Sequence, residues 1–207
     1  MATTPRTAAI TRKTKETSVR VRLNLDGRGQ GTIEIPQIPF LQHMLELVAT
    51  HGVFDLDVHA TGDVEVDLHH TNEDVGLALG EAFQRALGDK RGIRRFGAYV
   101  PMDESLARVV VDVSGRPHFR WEWQAKVPQA AYRRAGGRIR YGVEDARHFL
   151  ESFAMASGLT LHVDVLKAGG DAHHVLEAVF KALGRALGDA VARDPRIRGV
   201  PSTKGRL

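Results

Sequence analysis

The sequence predicts an α/β (α+β) fold that is internally duplicated into two similar halves, each a small sheet with two helices. Two patterns indicate this class: short segments that alternate apolar and polar residues, and longer segments with apolar residues at helical spacing. A motif that occurs twice indicates the duplication. Because each sheet must cover one apolar face, we expect the helices to pack together between the sheets. The halves are predicted at about 12–92 and 93–192 of a single unit, 1–207, with a tail over 193–207.

Three strands and two helices are predicted in the first half. Ser18 to Asp26 alternates apolar and polar residues and indicates a half-buried strand. Gln30 to Ile35 and Phe54 to Ala60 predict two further strands. Phe40 to Thr50 has apolar residues at helical spacing, and Asn72 to Leu87 is amphipathic, so both predict helices.

The second half repeats this order of elements. Helices are predicted over Val143 to Ser157 and from about His173 to Val191. Gln124 to Gly142 is rich in glycine and arginine and predicts a loop, and the tail shows no regular pattern. Strands are predicted over Ala107 to Val113, Phe119 to Trp123 and Leu159 to Leu166.

The repeated motif is His-His-x-x-Glu, which begins at His69 and again at His173, 104 residues later. At this spacing, residues 69–87 and 173–191 are identical at nine of 19 positions. Typical residue usage gives roughly one match by chance in a segment of this length. Similarity between helices rich in alanine and leucine does not explain aligned histidines and a glutamate, so we infer a duplication.

A second stretch supports the same inference. At a spacing of 105, residues 43–58 and 148–163 are identical at six of 16 positions. His43 and His148 are one of the matched pairs. Each half therefore carries three histidines and one glutamate at equivalent positions.

Each copy of the motif brings imidazoles and a carboxylate together on a helix. Residues four apart share a helix face, so His69 and Glu73 can hold one metal ion. The intervening His70 points roughly 100° away, and we expect it to reach a second ion. Imidazole and carboxylate suit zinc, iron, nickel or manganese, and whether a set comes from one chain or several stays open. The two predicted sets are His69, Glu73, His148 and His174, and His173, Glu177, His43 and His70.

The other four histidines are interpreted separately. His51 follows His43 by eight residues and shares its predicted helix face, so it is a candidate to line the pocket without binding metal. His59, His118 and His162 are interpreted as surface or hydrogen-bonded residues.

Composition limits the class of protein. The formal net charge is +4, and no apolar run approaches the ~20 residues of a membrane helix. The segment from Met1 to Thr17 is polar and basic, which is not typical of a signal peptide. With no cysteine, disulfides and thiolate ligands are excluded. We expect a soluble, cytoplasmic protein with no membrane partner.

Three other functions fit parts of this pattern. A dinuclear metal hydrolase acting on a phosphorylated small molecule is the main alternative, since such sites often activate water. An RNA-binding protein would need aromatic residues among the basic ones, but aromatic residues make up only 6% of the chain. We therefore expect no nucleic-acid partner. A metal-storage role is the third alternative.

Several short segments occur in a specific order and spacing along the chain. They are Pro39 to Leu45, Ala60 to Val64, His69 to Asp74, Arg95 to Gly97, Met102 to Glu104, Asp112 to Pro117, the second His-His-x-x-Glu, and Pro201 to Gly205. Together they make the chain resemble the imidazoleglycerol-phosphate dehydratase family of histidine biosynthesis. The resemblance extends from about Arg12 to Leu207.

The resemblance implies a reaction, a cofactor and an assembly. The reaction is the removal of water from imidazole glycerol phosphate to give imidazole acetol phosphate. Two Mn²⁺ ions per active site are implied as cofactors. The implied assembly is a homo-oligomer, a 24-mer built from trimers, with active sites between subunits.

The resemblance also implies roles for residues outside the motif. Glu16 matches a carboxylate near the substrate and is the predicted catalytic acid/base. Asp103 and Glu104 receive no role. Gln42 departs from the family, where aspartate is usual, and this puts the tuning of His43 in question. The predicted binding set for the substrate and its phosphate is Glu16, His51, Arg95, Arg116, Lys181, Ser202, Thr203 and Lys204. Ala98 is a second departure from the family pattern, and we have no physical account of it.

Overall fold

The computed structural model describes residues 5–123, 130–133 and 140–207. The first half holds four strands and two helices. In chain order they are β1 (Thr7–Lys13), β2 (Thr17–Asn24), β3 (Ile33–Glu34), α1 (Pro39–Gly52), β4 (Asp55–Gly62) and α2 (His69–Leu87).

The second half repeats these elements around a short insertion. In chain order they are β5 (Phe96–Met102), β6 (Ser105–Asp112), β7 (His118–Trp123), β8 (Ala130–Arg133), β9 (Arg140–Gly142), α3 (Val143–Ser157), β10 (Thr160–Lys167) and α4 (Ala172–Val191). Among the strands that the structure describes, β8 and β9 pair only with each other, as a separate two-stranded sheet.

The two large sheets have the same topology. Their strand orders are β1-β2-β4-β3 and β5-β6-β10-β7. In each sheet only the last pair is parallel, and a helix connects its two strands: α1 joins β3 to β4, and α3 lies between β7 and β10. The duplication inferred from the sequence is thus confirmed in the order of elements and in the pairing of strands.

The helices pack between the sheets, as predicted. Helix α2 lies on the first sheet and contacts α3, while α4 lies on the second sheet and contacts α1. Gly80 and Gly184, which are repeat partners, allow both helix pairs to approach closely. A β-carbon on Gly80 would lie 2.6 Å from the carbonyl oxygen of Phe153, and one on Gly184 would lie 2.9 Å from that of Val48.

Strand alternation forms the inner faces of the sheets. In β2 every second residue from Thr17 to Leu23 is buried, and in β6 the buried positions again alternate with more accessible ones. These side chains join those of the helices in one apolar core. Among the described residues, no helix is both long and apolar enough to cross a membrane.

The structure corrects four predictions about elements. Strand β1 was not predicted, because only Ile10 of its seven residues is buried and no alternation shows. Strand β5 was missed because Gly97 and Pro101 are typical of strand breaks. Strand β3 covers only Ile33–Glu34 of the predicted Gln30 to Ile35. The loop predicted over 124–142 is wrong for 130–133 and 140–142, which pair as strands, and the rest lies outside the described residues.

Candidate metal centre and substrate site

The first cluster of metal-ligating side chains joins His69 and Glu73 on α2 to His148 on α3. One ligand atom from each lies within 4.8 Å of the others. His69 Nε2 is 3.8 Å from Glu73 Oε2, as expected for residues one helical turn apart. The rings of His69 and His148 stack, with centroids 4.2 Å apart. Contact between α2 and α3 therefore completes a group that the motif alone only begins.

The second cluster is the repeat equivalent of the first. His173 and Glu177 on α4 meet His43 on α1, again with one ligand atom from each within 4.8 Å. His173 Nε2 is 3.4 Å from Glu177 Oε2, and the His43 and His173 ring centroids are 5.9 Å apart. Phe40 holds the His173 ring edge-on at 5.2 Å.

An aspartate two residues before the first motif histidine lies at the start of both motif helices, and in α4 it is the N-cap residue. The backbone N–H of His69 donates to Asp67 Oδ1 over 3.1 Å, and that of His173 donates to Asp171 Oδ1 over 2.8 Å. The two aspartates are 104 residues apart, the repeat spacing. Because the first N–H groups of a helix lack partners within it, these carboxylates supply an acceptor at the start of each helix.

The remaining motif histidines lie beside other carboxylates. His70 Nδ1 is 3.2 Å from Asp63 Oδ2 and 3.7 Å from Glu16 Oε2. His174 Nδ1 is 3.2 Å from Glu104 Oε1. The hydrogen bond to Asp63 raises the pKa of His70, and the bond to Glu104 raises the pKa of His174. His70 instead groups with Glu16 and Asp63, and His174 groups with Asp103 and Glu104. Among the described residues, each predicted set of four is therefore brought together only in part.

Two of these carboxylates were not predicted as partners. Asp63 follows β4, and Glu104 lies in the turn between β5 and β6. Each belongs to a segment that carries the family resemblance, and this was the only sequence signal for either residue. Their positions next to His70 and His174 depend on sheet pairing, which no local pattern reports.

The charge balance differs between the two clusters. Lys181 Nζ lies 2.7 Å from Glu177 Oε1 and 3.1 Å from the Sδ atom of Met102. Burial acts to raise the pKa of Glu177. The hydrogen bond and charge of Lys181, with the charges of His173 and His43, outweigh burial, and the pKa is lowered. Glu177 is therefore held as a carboxylate, the form in which it binds a cation.

His51 lies at the end of α1, in a cavity that also contains Arg185 and Asp189. Burial lowers the pKa of His51, and the charges of Lys181 and Arg185 lower it further. The imidazole therefore favours its neutral form. It is near the second cluster but is not one of its three members.

Arg95 occupies a constrained position. Its backbone has φ 80°, in the left-handed region that residues with side chains rarely adopt. The guanidinium binds both oxygens of Asp112, and its NH1 group donates to the carbonyl oxygen of Pro201 over 3.2 Å. The hydrogen bond that Arg95 donates to Asp112 raises the pKa of Arg95. Arg95 is thus a fixed cation that also holds the tail at Pro201.

The predicted tail residues gather at the same end of the molecule. Backbone hydrogen bonds turn the chain from Ser202 to Gly205, and the N–H of Lys204 donates to Ser202 Oγ over 3.2 Å. A β-carbon on Gly115 would lie 2.8 Å from the carbonyl carbon of Leu207, so the tail ends beside the turn that holds the exposed Arg116. Thr203 and Lys204 are exposed.

Lys181 lies far from this group within the chain. The backbone N–H of Arg95 donates to the carbonyl oxygen of Ala190, nine residues after Lys181 on α4. Nine helical residues span about 13 Å. The predicted phosphate-binding residues therefore form two separate groups, one near the second cluster and one at the tail.

Comparison with known proteins identifies the family. Residues 36–187 match the family model described as imidazoleglycerol-phosphate dehydratase. The chain belongs to this family. Similar proteins of the same name come from Geobacillus kaustophilus, 50% identical over 203 residues, and Aromatoleum aromaticum, 52% identical over 205 residues. The alignments cover 98% of this chain and 99% and 100% of those proteins.

Solved structures of the family are also similar. Imidazoleglycerol-phosphate dehydratase from Staphylococcus aureus is 33% identical, with a TM-score of 0.73 over 91% of this chain and 99% of that one. The Pyrococcus furiosus enzyme, solved in complex with (S)-C348, is 34% identical, with a TM-score of 0.73 over 96% and 100% of the two chains. The predicted fold and the family resemblance are thus confirmed.

Family membership sets the reaction class. The chain is an imidazoleglycerol-phosphate dehydratase, a hydro-lyase of histidine biosynthesis whose substrate is a phosphorylated imidazole. The predictions of a metal hydrolase, an RNA-binding protein or a storage protein receive no support from these similarities. The metal ions, the assembly and the roles of individual residues stay predictions.

Proposed function

We propose that this dehydratase converts imidazole glycerol phosphate to imidazole acetol phosphate at a dinuclear metal site formed between subunits. The observation that carries the proposal is the pair of His/His/Glu clusters related by the internal repeat. The cofactors proposed are two Mn²⁺ ions per active site. The assembly proposed is a homo-oligomeric 24-mer built from trimers.

The chemistry of the side chains fits divalent metal ions. Each cluster supplies two imidazoles and one carboxylate, a donor set that suits manganese among other transition metals. His69, Glu73 and His148 would hold one ion, and His43, His173 and Glu177 the other. Bound metal would orient the substrate and stabilise negative charge that develops on it. Three protein donors per cluster leave positions for further ligands.

A neighbouring subunit is proposed to complete each set. Within the chain, His70 and His174 face carboxylates and lie apart from both clusters among the described residues. If two subunits place the start of α2 of one against the start of α4 of the other, His174 joins the cluster around His69. In the same contact, His70 joins the partner's cluster around His173. One contact thereby builds both metal sites.

Glu16 is proposed as the acid/base. Its side chain is about half exposed in the turn between β1 and β2, and its Oε2 atom is 3.7 Å from His70 Nδ1. If His70 binds metal, a carboxylate at this distance is placed to take and return a proton on a substrate bound there. The exposure of Glu16 within one chain is consistent with a site that a second subunit closes.

The phosphate is proposed to bind where cations from two chains meet. Lys181 lies beside the second cluster, while Arg95 is fixed at the other end of α4. A phosphate group accepts several charge-assisted hydrogen bonds, which suits guanidinium, ammonium and hydroxyl donors. The group near the tail would then bind phosphate at a site other than the one that Lys181 of the same chain serves, or would meet Lys181 of a neighbouring subunit across an interface. This group comprises Arg95, Arg116, Ser202, Thr203 and Lys204. His51 would line the pocket in its neutral form.

The first experiment tests the reaction and the metal together. Protein stripped by a chelator is assayed for imidazole acetol phosphate with and without added Mn²⁺, and bound metal is counted per chain. The proposal expects product only with metal, and two ions per chain. His148→Ala and His43→Ala should each retain one ion. Absence of product in protein that holds two ions would instead favour hydrolysis or storage.

A second experiment tests whether sites form between chains. His69→Ala damages only the α2 side of a site, and His173→Ala only the α4 side. Each variant alone should be inactive. Subunits of the two variants, unfolded together and refolded, should recover activity in about a quarter of the sites, because random pairing restores some intact contacts. Mixtures of His69→Ala with Glu73→Ala, which damage the same side, are the control and should recover nothing.

Recovery in both mixtures, or in neither, contradicts the proposed interface. Native mass spectrometry of the wild-type protein tests the assembly itself. The expected mass is that of 24 chains, and the expected smaller species is a trimer. A stable monomer with full activity would rule out sites between subunits.

A further inference from the structure

Asp74 is a buried carboxylate that joins α2 to the turn carrying Glu16. Its side chain is only 9% exposed. Thr17 donates its hydroxyl to Asp74 Oδ2, and Arg12 Nε donates to Asp74 Oδ1 over 2.5 Å. Both partners belong to the β1–β2 hairpin, one on each strand. The carboxylate therefore ties both sides of the hairpin turn to one point on the helix.

The turn has its own hydrogen bonds next to this contact. Thr14 Oγ1 accepts from the backbone N–H groups of Glu16 and Thr17, over 3.1 and 2.9 Å. It also lies 3.0 Å from Thr17 Oγ1, the same hydroxyl that donates to Asp74. A continuous path of hydrogen bonds thus leads from the helix to the backbone of Glu16.

The helix places this contact beside His70. Asp74 follows His70 by four residues, so both side chains lie on the face of α2 that meets the hairpin. The hairpin includes an edge strand, β1, in which only Ile10 is buried. Edge strands with few buried contacts open easily. Strand pairing places Thr17 opposite Gly62 of β4, and the contact to Asp74 adds a direct side-chain link from α2 to the turn that carries Glu16.

The internal repeat gives an independent argument. The position equivalent to Asp74 in α4 is Ala178, which is buried and carries no polar group. The second half also has a hairpin turn that brings a glutamate, Glu104, to the equivalent histidine, His174. The core packing of the two helices does not require a carboxylate at this position. Asp74 is thus a feature of the half that contains the Glu16 turn.

We infer that Asp74 is a positioning residue that holds the β1–β2 turn in place and so sets the location of Glu16. This inference rests on the acid/base role proposed for Glu16. It predicts that weakening the contact lowers the turnover rate while leaving metal binding and substrate affinity largely intact.

The test uses Asp74→Asn in the full-length, metal-loaded protein. Asparagine keeps the shape of the side chain but loses the charge that pairs with Arg12. The expected kcat falls about tenfold or more, since a small displacement of a reacting group is costly, while KM changes less than twofold. Backbone amides of residues 13–18 should exchange hydrogen faster, and the number of bound metal ions should stay at the wild-type value.

The matched control is Asp164→Asn. Asp164 is also a buried carboxylate, 9% exposed, that accepts from an arginine, Arg108, over 2.8 Å. It lies on β10 and belongs to neither cluster. If Asp74 only stabilised the fold, both variants would lose stability alike and keep kcat. Thr17→Val is a second test variant, because it removes one donor and leaves Asp74 intact. Thr17→Ser should restore the wild-type behaviour.

A double variant separates this inference from the proposed role of Glu16. In Glu16→Gln protein, adding Asp74→Asn should reduce kcat no further, because Asp74 acts through Glu16. A further reduction, loss of metal, or unchanged exchange at residues 13–18 overturns the inference. If Glu16→Gln is as active as the wild-type protein, the role of Glu16 fails instead. Hydrogen exchange in Asp74→Asn then still decides whether Asp74 holds the turn.

Discussion

Lys181 Nζ lies 2.7 Å from Glu177 Oε1, one turn further along α4. Among the described residues, no lysine or arginine forms an ion pair with Glu73 of the first cluster, and the position equivalent to Lys181 in α2 holds Leu77. An ammonium group beside a carboxylate competes with a metal ion for the same oxygen. The two repeat-related clusters therefore offer ions different electrostatic surroundings, although their donor sets are the same.

This relationship predicts opposite effects of Lys181→Met. Removing the ammonium should tighten metal binding by the cluster around His173 several-fold. It should also raise KM for imidazole glycerol phosphate about tenfold, if Lys181 binds the phosphate through a charged hydrogen bond. Calorimetric metal titration and steady-state kinetics measure the two effects. Leu77→Met is the control and should change neither, whereas an unchanged KM in Lys181→Met would exclude its phosphate role.

The residue before the α1 histidine differs between the halves. Gln42 Nε2 donates to Glu46 Oε1 over 3.1 Å, and Glu46 Oε2 is 3.8 Å from His43 Nδ1. The equivalent of Gln42 is Arg147, whose guanidinium lies 3.6 Å from Glu151, the equivalent of Glu46. In the first half Glu46 is thus near His43, whereas in the second half the equivalent glutamate lies beside Arg147. Glu46 is therefore placed to supply the acidic partner that Gln42 lacks.

Glu46→Gln should weaken metal binding at the cluster around His43 about tenfold, because an acidic partner makes an imidazole a better ligand. Glu151→Gln is the matched control and should leave the cluster around His148 unchanged. Metal affinity of each site is measured in variants that retain only one cluster. Equal effects of the two substitutions would contradict a specific role for Glu46.

Tyr141 connects the two halves inside the core. It is fully buried, and its hydroxyl donates to Asn72 Oδ1 over 3.1 Å. Tyr141→Phe should lower the free energy of unfolding by about 1–2 kcal/mol, because it leaves Asn72 Oδ1 without this donor. Urea denaturation at pH 7 measures the loss. An unchanged midpoint would show that the hydrogen bond contributes nothing to stability.

The ionisation of Tyr141 predicts that its contribution to stability is lost at alkaline pH. Burial raises the pKa of Tyr141 well above its ordinary value. Its contribution to stability is complete below the unfolded-state pKa of about 10 and is lost as pH rises further, because only the unfolded chain ionises there. The stability difference between wild type and Tyr141→Phe should therefore shrink above about pH 10. A constant difference would contradict a neutral, buried hydroxyl.

The pKa of Asp26 predicts a loss of stability at acid pH, in contrast to the loss at alkaline pH predicted for Tyr141. The hydrogen bond from Arg6 lowers the pKa of Asp26, whose side chain is 38% exposed. The contribution of Asp26 is present above its unfolded-state pKa and is lost as pH falls through the lower folded-state value. Asp26→Asn should therefore cost about 0.5 kcal/mol at pH 7, and less as pH falls from about 4 towards 2. Urea denaturation across this range measures it, with the exposed Glu65→Gln as a control.

Sequence patterns predicted the helices and the buried strands well, since their period follows from local backbone geometry. Helix α3 has the predicted bounds, Val143–Ser157, and α2 begins three residues before the predicted Asn72. Strand β1 was missed because its partner, β2, and not its own side chains, makes it a strand. A mostly exposed edge strand carries no apolar period to detect.

The sequence by itself determined the pairing of His69 with Glu73 and of His173 with Glu177, because residues four apart on a helix must share a face. It also determined the duplication and, through the resemblance, the reaction class. Only the tertiary structure decided that α3 brings His148 to the first pair and α1 brings His43 to the second. It likewise decided that Asp74 holds the Glu16 turn. These contacts join residues far apart in the chain, and packing, not any local period, sets their distances.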